Sequence, residues 1–441
     1  MKLVKMVNSI NFISKPVTAI NGFITVPGDK SISHRSIIFG SIAQGTTEVS
    51  GFLDGEDCLA TLNAFKSMGV AIEGPFNQQL LIHGVGKHGL KAPQAIIDCG
   101  NSGTSMRLLA GLLSAQSFDS QLTGDESLLR RPMLRVSKPL SQMGADISTH
   151  DGKPPLLIKG SKSLHGIDYV MPEASAQVKS CLLLAGLYAT GETRITETGI
   201  SRDHTERMLQ TFGYPLKRQE NTLIINANSE CQATNITIPG DISSAAFFMV
   251  AASIIPGSSI SIKKVGLNPT RTGIIKILQA MGANISLSNQ DNFGEEPVAD
   301  IHIQYAPLTG ITIESEMVPL AIDEFPIIFV AAACAQGETR LHGAKELRLK
   351  ESDRIGAMVD GLVTLGVKAQ AFEDGVLIQG GSLSGGSVDS RGDHRIAMSF
   401  AIAGAVASSE VRIANCANVA TSFPTFIQTA TILHLDIEEV A

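Results

Sequence analysis

The hydrophobic pattern of the chain occurs six times. In each copy a strand-like stretch leads into a polar segment, then into a run of small apolar residues as long as a helix, then into a break and another strand. The copies begin at Val26, Asp98, Met171, Ile238, Ala321 and Arg391. Because the runs are apolar nearly all round, each predicts a helix buried at the centre of a small α/β unit.

A second helix is predicted in each of the first five copies. Each of these helices ends with an apolar residue and a glycine, at Gly69, Gly144, Gly213, Gly282 and Gly366. Such a glycine predicts a helix C-cap in the left-handed conformation, after which a strand restarts. The sixth copy, "TSFPTFIQTATILHLDI", has no such glycine, as is common in terminal repeats.

Two of the six copies begin in nearly the same way. "VPGDKS" begins at Val26 and "IPGDIS" begins at Ile238. The match predicts that a second set of three units begins near Ile238. We therefore expect two lobes of three units each, with a cleft between them on which the polar segments converge.

Composition and charge exclude several classes of protein. The 441 residues carry 35 Lys and Arg against 42 Asp and Glu, so no overall positive field draws the protein to nucleic acid. Six scattered cysteines without a CxxC pair predict free thiols in a reducing cytoplasm. The start, "MKLVKMVNSINFISKP", lacks the apolar run of a signal peptide, and the apolar runs are too short to cross a bilayer. We expect a cytoplasmic protein that binds neither nucleic acid nor membrane.

The polar segments before the buried helices predict anion binding, because helix N-termini carry unpaired N–H groups and partial positive charge. The richest segments are Lys30-Ser31-x-Ser33-x-Arg35, Asn101-Ser102-Gly103-Thr104, Ser175-Ala176-Gln177 and Asp393-His394-Arg395. Helix capping is the alternative explanation for the Ser, Asn and Asp residues. It does not explain Lys30 and Arg35, since cations in a first turn oppose the helix dipole and a bound anion would offset that cost.

The densest charged cluster of the chain is "KELRLKESDRI". A run of this kind is most often a solvated face. Here it directly precedes a second helix, and Lys350 and Arg354 are predicted to share one helical face, with Glu351 beside them. Upstream, Asp323 stands in the polar segment before a buried helix.

Taken together, the polar segments resemble those of one enzyme family. "GNSGTSMR", "RRPM", "SAQ", "LKESDRI", "DHRIAM" and "ATSFP" follow the Lys30 segment in the order found in EPSP synthases (3-phosphoshikimate 1-carboxyvinyltransferases), and the match runs from about residue 24 to the end. The resemblance implies an α/β fold of two inverted lobes, each of three βαβαββ repeats, with the active site in the cleft between the lobes. It also implies that the N-terminal stretch joins the second lobe. Residues 24–238 would then form the first lobe, and residues 1–22 plus 239–441 the second.

The resemblance further implies an activity. The family transfers the enolpyruvyl group of phosphoenolpyruvate to the 5-hydroxyl of shikimate 3-phosphate and releases phosphate, in the shikimate pathway to chorismate and the aromatic amino acids. Two phosphates and two carboxylates would explain why an acidic protein needs dense local positive charge. The resemblance implies no cofactor and no metal, small-molecule substrates as partners, and inhibition by glyphosate at the phosphoenolpyruvate site. We expect a monomer.

The roles implied for individual residues fall into three sets. The catalytic set is Asp323 as proton acceptor, Glu351 as proton donor, and Lys30 as an alternative proton carrier. The set for shikimate 3-phosphate is Lys30, Ser31, Arg35, Ser175, Ala176, Gln177, Arg202, Asp323 and Lys350. The set for phosphoenolpyruvate is Lys30, Asn101, Gly103, Arg131, Gln177, Arg354 and Arg395. Many members have a tyrosine where this chain has "SRDHTE", and Arg202 is expected to take part of the phosphate contact.

Two other functions stay open on the sequence. The first is the sister activity on UDP-N-acetylglucosamine, which has the same fold but Lys-Asn at the first polar segment and a reactive cysteine on a mobile loop. The second is a non-catalytic anion-binding protein, which would need the cations but not Asp323 with Glu351. Phosphate release from phosphoenolpyruvate that depends on shikimate 3-phosphate would separate the three.

Overall fold

The computed structural model describes residues 10–160 and 163–441. Residues 1–9 lie outside the described residues. They include the start of the stretch 1–22 that was predicted to join the second lobe, and the start of the sequence in which no signal peptide was predicted.

The described residues form 24 strands, 13 α-helices and three 3-10 helices. The strands are β1 (Asn11–Lys15), β2 (Asn21–Thr25), β3 (Gln44–Ser50), β4 (Ala71–Phe76), β5 (Gln79–Val85), β6 (Ile97–Asp98), β7 (Ser120–Thr123), β8 (Ile147–His150), β9 (Lys153–Ile158), β10 (Asp168–Val170), β11 (Glu192–Thr196), β12 (Lys217–Gln219), β13 (Thr222–Asn226), β14 (Ile236–Thr237), β15 (Ser259–Gly266), β16 (Asn284–Phe293), β17 (Glu296–Gln304), β18 (Thr312–Ile313), β19 (Glu338–Leu341), β20 (Lys368–Phe372), β21 (Gly375–Gln379), β22 (Gly386–Asp389), β23 (Val411–Ala414) and β24 (Asp436–Val440). The α-helices are α1 (Lys30–Ile42), α2 (Glu56–Ser67), α3 (Gly103–Leu113), α4 (Glu126–Leu129), α5 (Leu134–Gln142), α6 (Ala176–Gly186), α7 (His204–Thr211), α8 (Ile242–Ile254), α9 (Gly273–Ala280), α10 (Phe325–Cys334), α11 (Arg354–Thr364), α12 (His394–Gly404) and α13 (Phe426–Ile432). The 3-10 helices are Ser315–Met317, Lys345–Leu349 and Ala417–Thr421.

These elements form two compact units. Unit 1 holds the described chain up to Pro27, together with Gly240–Asp291 and Val298–Ala441. Unit 2 holds Gly28–Pro239 and Asn292–Pro297, the latter at the tip of the β16–β17 hairpin. Each unit has three four-stranded sheets and a hydrophobic core of its own. The prediction of an α/β protein with two lobes of three repeated units is confirmed.

All six sheets share one strand pattern. An edge strand pairs in parallel with its neighbour, and that neighbour pairs antiparallel with the third strand. The strand orders are β14-β3-β5-β4, β6-β7-β9-β8 and β10-β11-β13-β12 in unit 2, and β16-β17-β15-β2, β18-β19-β21-β20 and β22-β23-β1-β24 in unit 1. A parallel pair requires a crossover connection, which is usually a helix. This explains the helix between the two parallel strands in four of the copies, β6-α3-β7, β10-α6-β11, β18-α10-β19 and β22-α12-β23.

The two copies with similar starts exchange their leading strands. β2 precedes α1 along the chain but pairs in parallel with β15, which follows α8. β14 precedes α8 but pairs with β3, which follows α1. The chain therefore changes sheets at "VPGD" and at "IPGD". In these two copies, the leading strand therefore belongs to a different sheet from the strand that follows the first helix of the same copy.

The first helix of each unit is buried over nearly its whole surface, as predicted. Every residue of α8 is buried, for example. In five of the six helices a side chain of the polar segment accepts a backbone N–H of the first turn, and these caps are Asp29, Ser102, Ser175, Asp241 and Asp393. Capping thus accounts for these five side chains, but it leaves the cations of the polar segments to be explained.

The second helices end as the glycine pattern predicts. The glycines have left-handed φ angles of 87°, 93°, 69°, 99° and 84° at Gly69, Gly144, Gly213, Gly282 and Gly366. In the sixth unit the corresponding position after α13 is taken by His434, whose φ is 61°. The terminal repeat therefore keeps the backbone turn although it lacks the glycine.

The apolar runs of the sequence lie inside the two cores. "CLLLAGLYA" belongs mostly to α6, whose residues from Val178 onward are buried. Over residues 10–160 and 163–441, no helix is long and apolar enough to cross a membrane. The longest have 13 residues, whereas a membrane span needs about 20.

Candidate active site

The Lys30 segment lies at the start of α1 in unit 2. Asp29 caps the helix through its Oδ1, which accepts the N–H of Ile32 at 2.9 Å. Lys30 is the first residue of the helix, and its ammonium forms an ion pair with Asp57, a buried residue in the first turn of α2. Ser31 is half-buried. The prediction that Lys30 lies at the start of a helix is confirmed. Its ion-pair partner Asp57 was not predicted.

Arg35 is buried one turn further along α1. Its Nε donates to Thr205 Oγ1 at 2.7 Å, and its two terminal nitrogens donate to Ser31 O at 2.9 Å and to Ser180 Oγ at 2.8 Å. All three acceptors are neutral oxygens. Burial lowers the pKa of Arg35 to about 10, so the side chain still carries its positive charge at neutral pH.

Arg202 lies half-buried in the segment that joins β11 to α7. Burial is the main cause that lowers the pKa of Arg35; the charges of Glu206 and Asp29 act to raise it, and the positive charge of Arg202 acts to lower it further. The two arginines are therefore close enough to interact electrostatically. This agrees with their assignment to one phosphate group.

The start of α6 is joined to α3 through a glutamine. Ser175 caps α6, and its Oγ accepts the N–H of Val178 at 3.4 Å. Gln177 follows Ala176 in the first turn; its Oε1 accepts from Arg107 at 2.6 Å and its Nε2 donates to Thr104 Oγ1 at 3.1 Å. The orientation of the Gln177 amide is therefore fixed by residues of the "GNSGTSMR" segment.

The start of α3 brings together three residues of the predicted phosphoenolpyruvate set. Asn101 Oδ1 accepts from Arg131 at 2.9 Å. Gly103 is the first residue of α3, and a Cβ at this position would lie 2.7 Å from the nearest terminal nitrogen of Arg107 and 3.1 Å from that of Arg131. Since Arg107 also holds Gln177, these side chains form one connected group in unit 2.

In unit 1 the residues of "AIDEFP" and "LKESDRI" meet. Asp323 Oδ1 lies 3.3 Å from Lys350 Nζ and 3.3 Å from a terminal nitrogen of Arg354. The other terminal nitrogen of Arg354 donates to Glu351 Oε2 at 2.6 Å, and its Nε donates to Asp393 Oδ2 at 2.9 Å. The two predicted proton-transfer carboxylates are thus bound to one guanidinium.

Arg354 forms ion pairs with three carboxylates of this group. Its side chain is 1 % exposed. Burial acts to lower its pKa, but the carboxylates of Asp393, Glu351 and Asp323 outweigh burial and raise the pKa above its usual range. The alternative explanation of "KELRLKESDRI" as a solvated face is therefore wrong for Arg354. It holds for Lys345, which is mostly exposed and pairs with Glu373.

Arg395 completes the group in unit 1. Its backbone N–H donates to the capping Asp393 at 2.9 Å, and its side chain donates to the carbonyl oxygen of Asp323 at 3.0 Å. Its guanidinium also lies 3.9 Å from the buried Glu324. All five predicted site residues of unit 1 are therefore connected by direct contacts, namely Asp323, Lys350, Glu351, Arg354 and Arg395.

One local prediction is wrong. Lys350 and Arg354 do not share a helical face, because α11 begins at Arg354 and is capped by Asp353. Lys350 instead follows the 3-10 helix Lys345–Leu349 with extended backbone. The two cations nevertheless meet at Asp323, so tertiary structure supplies the proximity that helical spacing was expected to give.

Several polar residues of these groups were missing from the predicted sets, among them Arg107, Asp393 and Asp57. Arg107 was visible in the sequence as the last residue of "GNSGTSMR", four positions after Gly103 and so on the same side of α3. Asp393 was visible in "DHRIAM". Asp57 had no such signal, since an acidic residue in a first helical turn is ordinary.

The sequence pattern of one family, EPSP synthase (3-phosphoshikimate 1-carboxyvinyltransferase), matches residues 14–430. A protein of Legionella pneumophila (strain Corby) named 3-phosphoshikimate 1-carboxyvinyltransferase is 74% identical over 430 residues, which cover 98% of this chain and 99% of that protein. The chain belongs to the EPSP synthase family. A Methylococcus capsulatus protein of the same name is 61% identical over 97% of this chain and 98% of its own length.

A solved EPSP synthase has the same fold. The EPSP synthase from Acinetobacter baumannii superposes with a TM-score of 0.89 at 54% sequence identity, and the match covers 98% of this chain and 100% of that structure. The expected family, with its two-lobe enolpyruvyl transferase fold, is confirmed. The roles of individual residues stay predictions.

Proposed function

We propose that the protein transfers the enolpyruvyl group of phosphoenolpyruvate to the 5-hydroxyl of shikimate 3-phosphate and releases phosphate. The observation that carries the proposal is the convergence of Asp323 and Glu351 on one buried guanidinium, in a chain of the EPSP synthase family. A protein that only bound anions would need the cations but would not need this pair of carboxylates. The reaction places the protein in the shikimate pathway.

The set of residues assigned to shikimate 3-phosphate has members in each unit. In unit 2 we assign its phosphate to Arg35, Arg202 and the first turn of α6, where Ser175, Ala176 and Gln177 lie, together with Lys30 and Ser31. In unit 1 we assign the carbocyclic ring of shikimate 3-phosphate to Asp323 and Lys350. The neutral hydrogen-bond partners of Arg35 support its assignment, because its positive charge is not neutralised by a bonded carboxylate.

Phosphoenolpyruvate is assigned to the remaining cations and amides. In unit 2 these are Lys30, Asn101, Arg131 and Gln177, with the backbone of Gly103; in unit 1 they are Arg354 and Arg395. Planar guanidinium groups suit both ends of this substrate, since they bind carboxylates and phosphates through two parallel hydrogen bonds. Glyphosate is proposed to occupy the same site.

The two carboxylates carry the proton transfers. Asp323 accepts the proton of the 5-hydroxyl as the hydroxyl oxygen bonds to C2 of phosphoenolpyruvate, and the protonated carboxyl of Glu351 donates its proton to the methylene carbon. The methyl group so formed then returns a proton to Glu351 as phosphate leaves from C2, which restores the enolpyruvyl double bond. Both carboxylates bind Arg354, so this one side chain fixes the distance between acceptor and donor. Lys30 remains the alternative proton carrier.

We also propose the setting in which the enzyme acts. The functional lobes are proposed to have the bounds 24–238 and 1–22 plus 239–441, which differ from the compact units at residues 24–27, 239 and 292–297. The protein works as a monomer in the cytoplasm. All six cysteines are free, which supports a reducing compartment.

The deciding experiment is an assay of phosphate release from phosphoenolpyruvate. We expect release that depends on shikimate 3-phosphate and that does not occur with UDP-N-acetylglucosamine in its place. Release with the nucleotide sugar would indicate the sister activity. Tight binding of shikimate 3-phosphate without release would indicate a non-catalytic binding protein.

A further inference from the structure

One fully buried lysine of unit 2 has no role in the site as described so far. Lys179 lies in the first turns of α6, two residues after Gln177, and its side chain is 0% exposed. Its Nζ lies 2.8 Å from Glu197 Oε1 and 2.6 Å from Glu206 Oε1. A buried ion cluster adds little net stability compared with apolar side chains of similar volume. We therefore ask which segments of the chain the cluster holds in position.

The cluster fixes the segment that carries Arg202. Glu197 directly follows β11, and its Oε1 also accepts from Ser201 Oγ at 2.7 Å. Its other oxygen accepts from Arg218 at 3.1 Å. Ser201 precedes Arg202 in the chain, so Lys179 holds the carboxylate to which this segment is attached.

The same cluster also fixes the surroundings of Arg35. Lys179 and Ser180 lie on α6, and Thr205 and Glu206 lie on α7. The Lys179–Glu206 ion pair therefore stands beside the hydrogen bond between Ser180 Oγ and Thr205 Oγ1, which is 2.7 Å long. Arg35 donates to both of these hydroxyls, so a shift of α7 against α6 would move the acceptors that orient its guanidinium.

We propose that Lys179 is a positioning residue for shikimate 3-phosphate, which it serves by fixing Arg35 through Glu206 and Arg202 through Glu197. The inference rests on the proposed function, because it takes Arg35 and Arg202 as phosphate-binding residues. The electrostatics agree with the geometry. Burial raises the pKa of Glu206, and the charge of Lys179 opposes that rise, so loss of the lysine would leave a buried carboxylate without its strongest cationic partner.

The main test compares two buried lysines of the same unit. Lys179→Met should raise the KM and Kd for shikimate 3-phosphate about 10- to 100-fold, the loss typical of a binding group displaced by about 1 Å. Turnover at saturating shikimate 3-phosphate and the KM for phosphoenolpyruvate should stay within about threefold. Lys179→Arg should restore part of the affinity. The matched control is Lys87→Met. Lys87 is also buried, donates to Leu187 O at 3.3 Å and Ala227 O at 2.8 Å, and lies 3.5 Å from Glu230 Oε1; none of these partners belongs to the predicted sets, so all three constants should be unchanged.

A second variant keeps the test decisive if Lys179→Met does not fold. Ser201→Ala removes only the hydrogen bond between Glu197 and the Arg202 segment, and it should raise the KM for shikimate 3-phosphate about three- to tenfold with an unchanged melting temperature. Ser67→Ala is its control, since Ser67 Oγ donates to Ala64 O at 2.7 Å within α2. Suppose that the turnover of the wild type depends on shikimate 3-phosphate as expected, but that the KM is unchanged in Ser201→Ala and in any folded Lys179→Met. This result would overturn the role of Lys179 and leave the proposed function standing. Wild-type protein that does not use shikimate 3-phosphate would overturn the proposed function and this inference with it.

Discussion

Replacing Asp323 by asparagine separates catalysis from binding and from stability. The substitution keeps the size of the side chain and removes its charge, and with it the ion pairs at 3.3 Å to Lys350 and Arg354. Arg354 keeps its contacts to Asp393 and Glu351. Because the side chain of Asp323 is only 15% exposed and asparagine keeps a hydrogen-bonding oxygen, the free energy of unfolding should fall by about 1–3 kcal/mol.

The expected loss of turnover is much larger. Removing a general base typically lowers the rate by a factor of about 10²–10⁴, which corresponds to about 3–5.5 kcal/mol in the activation barrier. The Kd for shikimate 3-phosphate, measured by calorimetry, should stay within about tenfold. Turnover is measured as phosphate release with both substrates saturating.

Asp300→Asn is the matched control for this substitution. Asp300 is a buried carboxylate of β17 that accepts from Lys263 Nζ at 2.9 Å and from the N–H of Lys264 at 2.9 Å, and no residue of the predicted sets is among these partners. The control should lose stability but keep turnover within about twofold. Near-normal turnover in Asp323→Asn, or an equal loss in Asp300→Asn, would refute the assignment of Asp323 as the proton acceptor.

Further predictions follow from single features of the structure. Glu351→Gln should lower turnover about 10²- to 10⁴-fold with little change in substrate binding; turnover close to wild type would exclude Glu351 as the donor. Burial acts to raise the pKa of Asp300, but hydrogen bonds and the charge of Lys263 lower it from 3.8 to about 2. Its stabilisation of about 2 kcal/mol is therefore complete above pH 4 and lost as the pH falls through 2, so the gap in unfolding free energy between wild type and Asp300→Asn should close in urea titrations run toward pH 2. Glyphosate should compete with phosphoenolpyruvate, and Gly103→Ala should weaken glyphosate by about 1–3 kcal/mol, and far more than the shorter substrate, because the added methyl lies in a tight space between arginine side chains; insensitivity of the wild type to millimolar glyphosate would contradict this. His434→Gly should raise the unfolding free energy by about 1 kcal/mol, since the histidine has a φ of 61°, and an unchanged urea midpoint would show that the turn carries no strain.

The repeated architecture could be predicted because its signals are local. A buried helix directly follows its capping side chain, and the glycine that ends the second helix comes about 40 residues after the cap; the cap and the glycine each recur in five of the six copies. His434 shows the limit of such signals. It adopts the left-handed backbone conformation of the five glycines, but a histidine on its own does not indicate that conformation. Only alignment of the sixth copy with the other five shows that His434 takes the place of the glycine.

Features that depend on distant residues could not be predicted in the same way. The exchange of β2 and β14 between sheets pairs strands that lie far apart in the chain, since Asn21 pairs with Ser259 and Val49 with Ile236. The local sequence of each strand does not show which of these strands is its partner. Lys350 was placed on a helix that begins only at Arg354, because a charged run does not show where its helix starts. The partners of Arg35 on α6 and α7 are hydroxyl groups of Ser180 and Thr205, which carry no signal of their own.

Two buried arginines of the predicted sets differ in the charge of their partners. Arg35 and Arg354 each donate three or more hydrogen bonds inside their unit, but the acceptors differ in charge. Those of Arg35 are neutral oxygens, whereas those of Arg354 belong to Asp323, Glu351 and Asp393. The positive charge of Arg35 therefore remains to attract a dianion, while that of Arg354 is already compensated. Under the proposed assignments, Arg35 is therefore the one of the two whose hydrogen-bond partners leave its charge to a substrate phosphate, while Arg354 has a second task beside binding phosphoenolpyruvate, which is to hold the two proposed proton-transferring carboxylates near each other.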